Sequence, residues 1–222
     1  MSKPKRYQLL CPIARALDRV GDRWTLLILR DLYAGPARFS GLKAGLDGMA
    51  TNLLTARLKQ LVADGLITQG RAEFGVRVYE LTELGRKARD LLFELAMFGG
   101  RFPPDDDIKP PGSLRTIAVT LEAACQRVVT PDMDFVAGLH VDGERFTLTA
   151  KAGSVTVRAG EAEAPDVEFF NEYEPMVAAG DGRMPLEDFT ANHMRIVGHA
   201  PGKDAEAVQL LSSAMSWIAE AA

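Results

Sequence analysis

Between Thr51 and Gly65 the leucines Leu54, Leu58 and Leu61 fall on one face at roughly 100° per residue. Asn52, Thr55, Ala56 and Lys59 fall nearly opposite, and that outward set contains no acid. Short polar groups and a long cation on one side of a rod make hydrogen bonds and neutralise anions. They do not break covalent bonds. A helix over 51–63, closed by Gly65, is about 20 Å long, which suits a major groove. Lys43, Arg71 and Arg77 stand in neighbouring segments and add positive charge.

Bond-making chemistry has little support elsewhere. The three histidines are His140, His193 and His199, and the last two lie six apart around a strand, which is no metal spacing. There is no His-x-x-x-His pair, no Gly-x-Ser-x-Gly elbow and no phosphate loop. Gly180-Asp181-Gly182 reads as a turn, since no strand and helix frame it as a phosphate cradle. The histidines are expected on strand surfaces or satisfied in a core. No enzyme, metal or cofactor is expected. One thiol stands apart. Cys11 precedes a helix start with Lys3, Lys5 and Arg6 close in sequence, surroundings that favour the reactive thiolate. Free cysteine is equally an ordinary small buried residue.

Charge divides the chain. Residues 1–104 hold 17 Lys and Arg against 10 Asp and Glu, a net +7, while residues 105–222 hold 9 against 20, a net −11. The total of −4 conceals two modules with different partners, the basic one suited to a polyanion. Residues 102–112 carry four prolines and an Asp105-Asp106-Asp107 run, the composition of a linker. Two distant cysteines make no disulfide framework, no apolar run approaches a membrane span, and the basic start lacks an apolar signal region. A cytoplasmic protein without membrane contact is expected.

The basic half positions the polar rod. Ile13, Ala16, Leu17 and Val20 predict a first helix ended by Gly21. The run from Trp24 to Tyr33 predicts a second, buried on more than one side, and Gly35-Pro36 breaks it. Ser40 is placed to cap a brief helix carrying Leu42 and Leu46. Ile67–Gln69 and Val76–Leu81 predict a hairpin around Glu73-Phe74-Gly75, with Tyr79 and Leu81 inward. Thr82 is placed to cap one last helix with a stripe from Leu84 to Phe98. Three helices, a hairpin with basic flanks and a further helix make a winged helix-turn-helix.

Several motifs here resemble the HxlR family of bacterial transcription regulators. They are Cys11-Pro12, Gly21-Asp22-Arg23-Trp24, Arg38-Phe39-Ser40-Gly41-Leu42, Gly48-Met49, Leu54-x-x-Arg57-Leu58-x-x-Leu61, Gly65-Leu66-Ile67 and Tyr79-x-Leu81-Thr82-x-x-Gly85, over about residues 7–100. The resemblance implies a homodimer joined through the first and last helices, with the 51–63 helix reading double-stranded DNA. In some members the cysteine matching Cys11 senses oxidants or electrophiles. The family has Ser or Thr just after the Gly-Met-like pair; here Ala50-Thr51 stand there, so the helix cap shifts to Thr51 or is lost. Thr51, Asn52 and Thr55 are candidates for base edges, and Lys59, Lys43, Arg71 and Arg77 for phosphates. Arg57, on the flank of the leucine stripe, suits an internal ion pair better than DNA.

In the acidic half, Leu114 to Cys125 have helical spacing, with the helix expected over about 113–128. Strands are predicted at 135–141, 145–150, 154–158, 166–170 and 194–198, with turns at Asp142-Gly143 and Ala152-Gly153. Short helices at 173–179 and 186–189 and a broad-faced helix at 203–219 complete it. Gly143-x-x-Phe146-x-Leu148, Gly153-x-Val155-x-Val157, Asp166-Val167-x-Phe169, Leu186-x-x-Phe189 and Arg195-Ile196-x-Gly198 are similar to the sterol carrier protein fold. That resemblance implies a tunnel for an apolar small molecule between sheet and helices. Its walls would include Phe146, Leu148, Phe169, Met176, Phe189, Met194, Leu211 and Met215, side chains that a packed core would use equally.

The fold class is therefore α+β: an N-terminal winged helix-turn-helix over 1–101, a linker over 102–112, and a C-terminal sterol-carrier-like antiparallel sheet covered by helices over 113–222. The expected function is that of a dimeric DNA-binding regulator, a repressor, modulated by an apolar ligand. Two other readings use the same residues: a redox regulator with Cys11 as its input, and a lipid-carrier-like protein whose winged helix mainly dimerises.

Overall fold

A computed structural model describes residues 6–72, 75–102 and 111–221. The wing tip at Glu73-Phe74, the N-terminal Lys3 and Lys5, and most of the expected linker lie outside the described residues. The chain forms two compact units that divide between Ala88 and Arg89.

The first unit begins with α1 (Pro12–Val20), where Pro12 occupies the first turn and no internal N–H is lost. Gly21 ends it, donating its N–H to Leu17 O at 2.8 Å; a Cβ there would stand 2.5 Å from that same oxygen. Helix α2 (Thr25–Tyr33) starts where the Asp22 carboxylate accepts the Trp24 and Thr25 N–H groups at 3.0 and 3.2 Å. Ile28, Leu29, Leu32 and Tyr33 are all buried, so this helix is enclosed on several sides as its apolar run requires. Helix α3 (Phe39–Gly45) starts at Phe39, with Arg38 rather than Ser40 at the cap position and no side-chain cap.

Helix α4 (Thr51–Ala63) buries Leu54, Leu58 and Leu61. Its N-cap is Ala50, which has no acceptor, so the family's cap is lost rather than moved to Thr51. At the other end Leu66 N–H bonds Leu61 O at 3.0 Å and Gly65 N–H bonds Val62 O at 3.0 Å. Gly65 has φ +70°, the left-handed step that this double closure needs.

Strands β1 (Ile67–Arg71) and β2 (Arg77–Leu81) pair antiparallel from Ile67↔Leu81 to Arg71↔Arg77, and Ala37 adds a single bridge to Tyr79. Val78 and Leu81 are the buried residues of β2, whereas Tyr79, expected inward, is only half-buried. Thr82 caps α5 (Glu83–Arg86), accepting Gly85 N–H at 3.1 Å while its hydroxyl donates to Gly65 O at 2.7 Å.

The single long helix expected after Thr82 is instead two. Lys87 and Ala88 form a turn, and α6 (Arg89–Gly100) belongs to the second unit, ahead of the segment expected as linker. The physical reason is where each piece finds partners. Gly85 sits so close to Leu66 that a Cβ would stand 2.0 Å from its carbonyl oxygen. Phe93, by contrast, is fully buried, 5.6 Å from the Trp217 ring, with the Arg127 guanidinium 4.2 Å over it.

The second unit continues with α7 (Thr116–Val128), then β3 (Asp134–Val141), β4 (Glu144–Lys151), β5 (Ser154–Ala159), β6 (Val167–Asn171), α8 (Tyr173–Gly180), α9 (Leu186–Asn192), β7 (Met194–Gly198) and α10 (Lys203–Ala221). The sheet order is β5-β4-β3-β6-β7. Expected as antiparallel, it contains one parallel pair, β3 with β6, because the chain crosses from the β5 edge before adding β6. Phe135, Leu139, Phe146, Leu148, Val155, Val157, Val167 and Phe169 form its buried side. Helix α7 closes the β5 edge: Gln126 Oε1 accepts Val155 N–H at 3.0 Å and Glu122 Oε2 accepts Val157 N–H at 2.9 Å. Arg158 balances the buried Glu122 at 2.6 Å. Burial, together with the Glu122 charge, pushes the Cys125 thiol far up, so it is an inert core residue.

Candidate nucleic-acid interface

Burying three leucines turns the opposite side of α4 outward. Thr51, Asn52, Thr55, Ala56 and Lys59 are all exposed. The Thr55 hydroxyl donates to Thr51 O at 2.9 Å and keeps its lone pairs as acceptors; Asn52 Oδ1 accepts Leu53 N–H at 2.9 Å and keeps its amide donors. With no side-chain cap, the start of α4 presents backbone N–H groups and the positive end of the helix dipole, which suits a phosphate oxygen.

The two long cations of α4 have different surroundings. Arg57 Nε lies 3.4 Å from Asp22 Oδ1, inside the unit, as expected for the leucine flank. Lys59 is exposed and has no ion pair among the described residues. A further pair, Arg19 with Asp64 at 2.5 Å, ties the end of α1 to the end of α4. Asp22 was not among the sequence candidates, yet it starts α2 and orients Arg57. Its signal was an acid just before a helical run.

Arg71 and Arg77 face each other across the wing as direct strand partners, both exposed. Like charges so placed repel unless an anion lies against them. Arg71 also donates to Gly75 O at 3.2 Å. Lys43 is half-buried in the last turn of α3. Thus α4 and the wing each present exposed polar and cationic side chains.

The profile of HxlR-like helix-turn-helix proteins matches residues 19–107. The uncharacterised HTH-type transcriptional regulator sll1512 of Synechocystis is 36% identical over 92 residues, 40% of this chain and 68% of that protein. The chain belongs to the HxlR-like helix-turn-helix family. Another relative, the uncharacterised HTH-type transcriptional regulator YvaP of Bacillus subtilis, is 33% identical over 90 residues and 83% of its length is covered. Rv3095 of Mycobacterium tuberculosis, likewise described as an uncharacterised HTH-type transcriptional regulator, is 37% identical over 105 residues, 46% of this chain and 65% of that protein. Among solved structures, the redox regulator HypR in its oxidised form is similar at 24% identity and TM-score 0.41, over 43% of this chain and all of that one. As an HxlR-type chain, this protein carries the DNA-binding helix-turn-helix of a transcription regulator.

The other expected residues divide by place. Cys11 is exposed at the N-cap of α1, so the buried alternative does not hold. Phe146, Leu148 and Phe169 are fully buried in the sheet and Leu211 nearly so. Met176, Phe189, Met194 and Met215 come together in one cluster with Met184 and Ile218. The histidines lie on or beside strands, each facing a glutamate: His140 and His199 both bond Glu168, and His193 lies 3.4 Å from Glu172. Among the described residues no group of three or more such side chains is arranged to hold a metal ion, and no helix is long and apolar enough to cross a membrane.

Proposed function

We propose that this protein is a dimeric repressor that lays α4 of each subunit in the major groove, and that its second unit binds an apolar small molecule. The acid-free exposed side of α4 carries the reading. Thr51, Asn52 and Thr55 meet base edges; Lys59, Lys43, Arg71 and Arg77 hold phosphates. Dimerisation through α1 and α6 is supported by apolar side chains that each leaves in water: Ile13 of α1 is 71% exposed and Phe98 of α6 62%.

The ligand reading is that of a sterol-carrier-like unit, and the methionine cluster around Phe189 supports it. Flexible thioethers adapt to an apolar guest more readily than branched side chains do. A ligand bound among these side chains acts on DNA only by favouring one dimer geometry over another, since recognition helices must stand about 34 Å apart. Titrating the full chain onto a promoter fragment of its own gene tests the reading. Tight dimer binding is expected, weakened by Thr55→Ala; equal affinity for unrelated DNA, unchanged by that substitution, rejects it.

A second reading makes Cys11 a redox input, favoured by its exposure beside Pro12 at the start of α1. A Cys11→Ser protein that still loses DNA on oxidation disposes of it.

A further inference from the structure

One side of the five-stranded sheet carries polar groups that neither reading uses. Strand register sets Arg145, His140, Phe170 and Arg195 side by side across β4, β3, β6 and β7, on the side opposite Phe135 and Leu139. His140 stacks on Phe170 with ring centres 4.4 Å apart, and the Arg195 guanidinium lies 3.6 Å over the Phe170 ring. In the adjoining row β3 has Gly138, between Thr147 and Glu168. A glycine there lets its neighbours come close: a Cβ would stand 3.3 Å from Glu168 Cγ, 3.6 Å from His140 Nε2 and 3.9 Å from Ala162 Cβ.

A cavity of about 440 Å³ lies beside Gly138, within the size range of small-molecule sites. Its roof is the segment 160–166, which is tied at both ends. Gly160 N–H bonds Arg145 O at 2.9 Å and Glu161 pairs with Arg145 at 2.5 Å. At the far end Asp166 N–H bonds Val136 O, and Asp166 Oδ2 accepts Val136 N–H, both at 2.8 Å. Between these ties the roof offers Ala162, Ala164 and Pro165, short apolar groups that leave the space beneath unfilled.

The polar end is a single oriented carboxylate. His140 Nε2 lies 2.9 Å from Glu168 Oε1 and His199 Nε2 lies 2.8 Å from Oε2. Each oxygen has one histidine partner and retains further acceptor capacity. The two histidines occupy one position on each carboxylate oxygen, and the nearby Arg145 is engaged by Glu161 rather than by Glu168.

We propose that this cavity binds a small organic cation, an amine or amidine with a compact apolar body, its charged nitrogen on Glu168 and its apolar part under Ala162 and Pro165. Calorimetric titration of the full chain at neutral pH with benzamidine, and with benzoate as the charge-reversed probe, tests this directly and does not depend on the regulator reading. Saturable one-to-one binding of benzamidine is expected, weakened about tenfold or more by Glu168→Gln. Ala162→Leu, which narrows the cavity and leaves Glu168 in place, weakens it likewise and decides the matter if the first variant does not fold. Absence of saturable benzamidine binding, equal binding of benzoate, or full affinity in either folded variant overturns the proposal.

Discussion

Arg57 Nε lies 3.4 Å from Asp22 Oδ1, the same oxygen that accepts the Trp24 and Thr25 N–H groups at the start of α2. One carboxylate thus starts α2 and steadies the flank of α4. Two cations a half-turn apart on α4 take different duties as a result. Arg57→Ala is expected to lower the stability of the first unit by about 0.5–1 kcal/mol, the range for a partly exposed pair, with little change in the salt dependence of DNA binding. Lys59→Ala leaves stability unchanged and lowers the slope of log affinity against log salt by about 2 per dimer, about 1 for each lost phosphate contact. Urea unfolding and anisotropy titrations at several salt concentrations check both. An unchanged slope for Lys59→Ala removes that residue from the interface.

Ala50 stands where a helix cap belongs and has nothing to offer the first-turn N–H groups, although its backbone is already extended, with φ −68° and ψ 141°. Ala50→Ser supplies an acceptor without altering that conformation. It is expected to stabilise the first unit by about 1 kcal/mol, read as a higher urea midpoint.

Gly85 shows the cost of a side chain where two backbones meet. An added Cβ would stand 2.0 Å from Leu66 O, so the α5 start or the β1 entry must move. Gly85→Ala is expected to destabilise the first unit by about 2 kcal/mol or more, and to loosen the Thr82 hydroxyl from Gly65 O. Thermal unfolding followed by Trp24 fluorescence measures the first effect. A variant as stable as the parent would show that the Leu66 carbonyl yields to a methyl group without cost.

Glu168 links pH to the stability of the second unit. Hydrogen bonds from His199 and then His140 hold its carboxyl below its ordinary value of 4.5. A carboxylate held lower in the folded chain contributes stability that is present above the unfolded value and is lost as pH falls through the folded one. The stability difference between wild type and Glu168→Gln should therefore be greatest near neutrality and shrink as pH falls below 4.5. Unfolding midpoints across an acid series check this, and a difference that grew in acid would reverse the assignment.

Much of the first unit is written in local pattern. A leucine every three or four residues dictates which side of α4 is buried, and therefore that Thr51, Asn52, Thr55 and Lys59 face water. Gly65 closes that helix because few other residues take φ +70° without strain. The alternating strands and turns of the second unit are legible for the same reason, a side-chain period of two. Other features depend on groups distant in sequence. The break between α5 and α6 falls where it does because Gly85 meets Leu66 and Phe93 meets Trp217, and the spacing from Leu84 to Phe98 carries no trace of either. Pairing β3 with β6 in parallel gathers His140, Glu168 and His199, separated by 28 and 31 positions, around one carboxylate. Local periodicity orients a side chain on its own element, but which elements become neighbours is decided by how the whole chain buries its apolar surface.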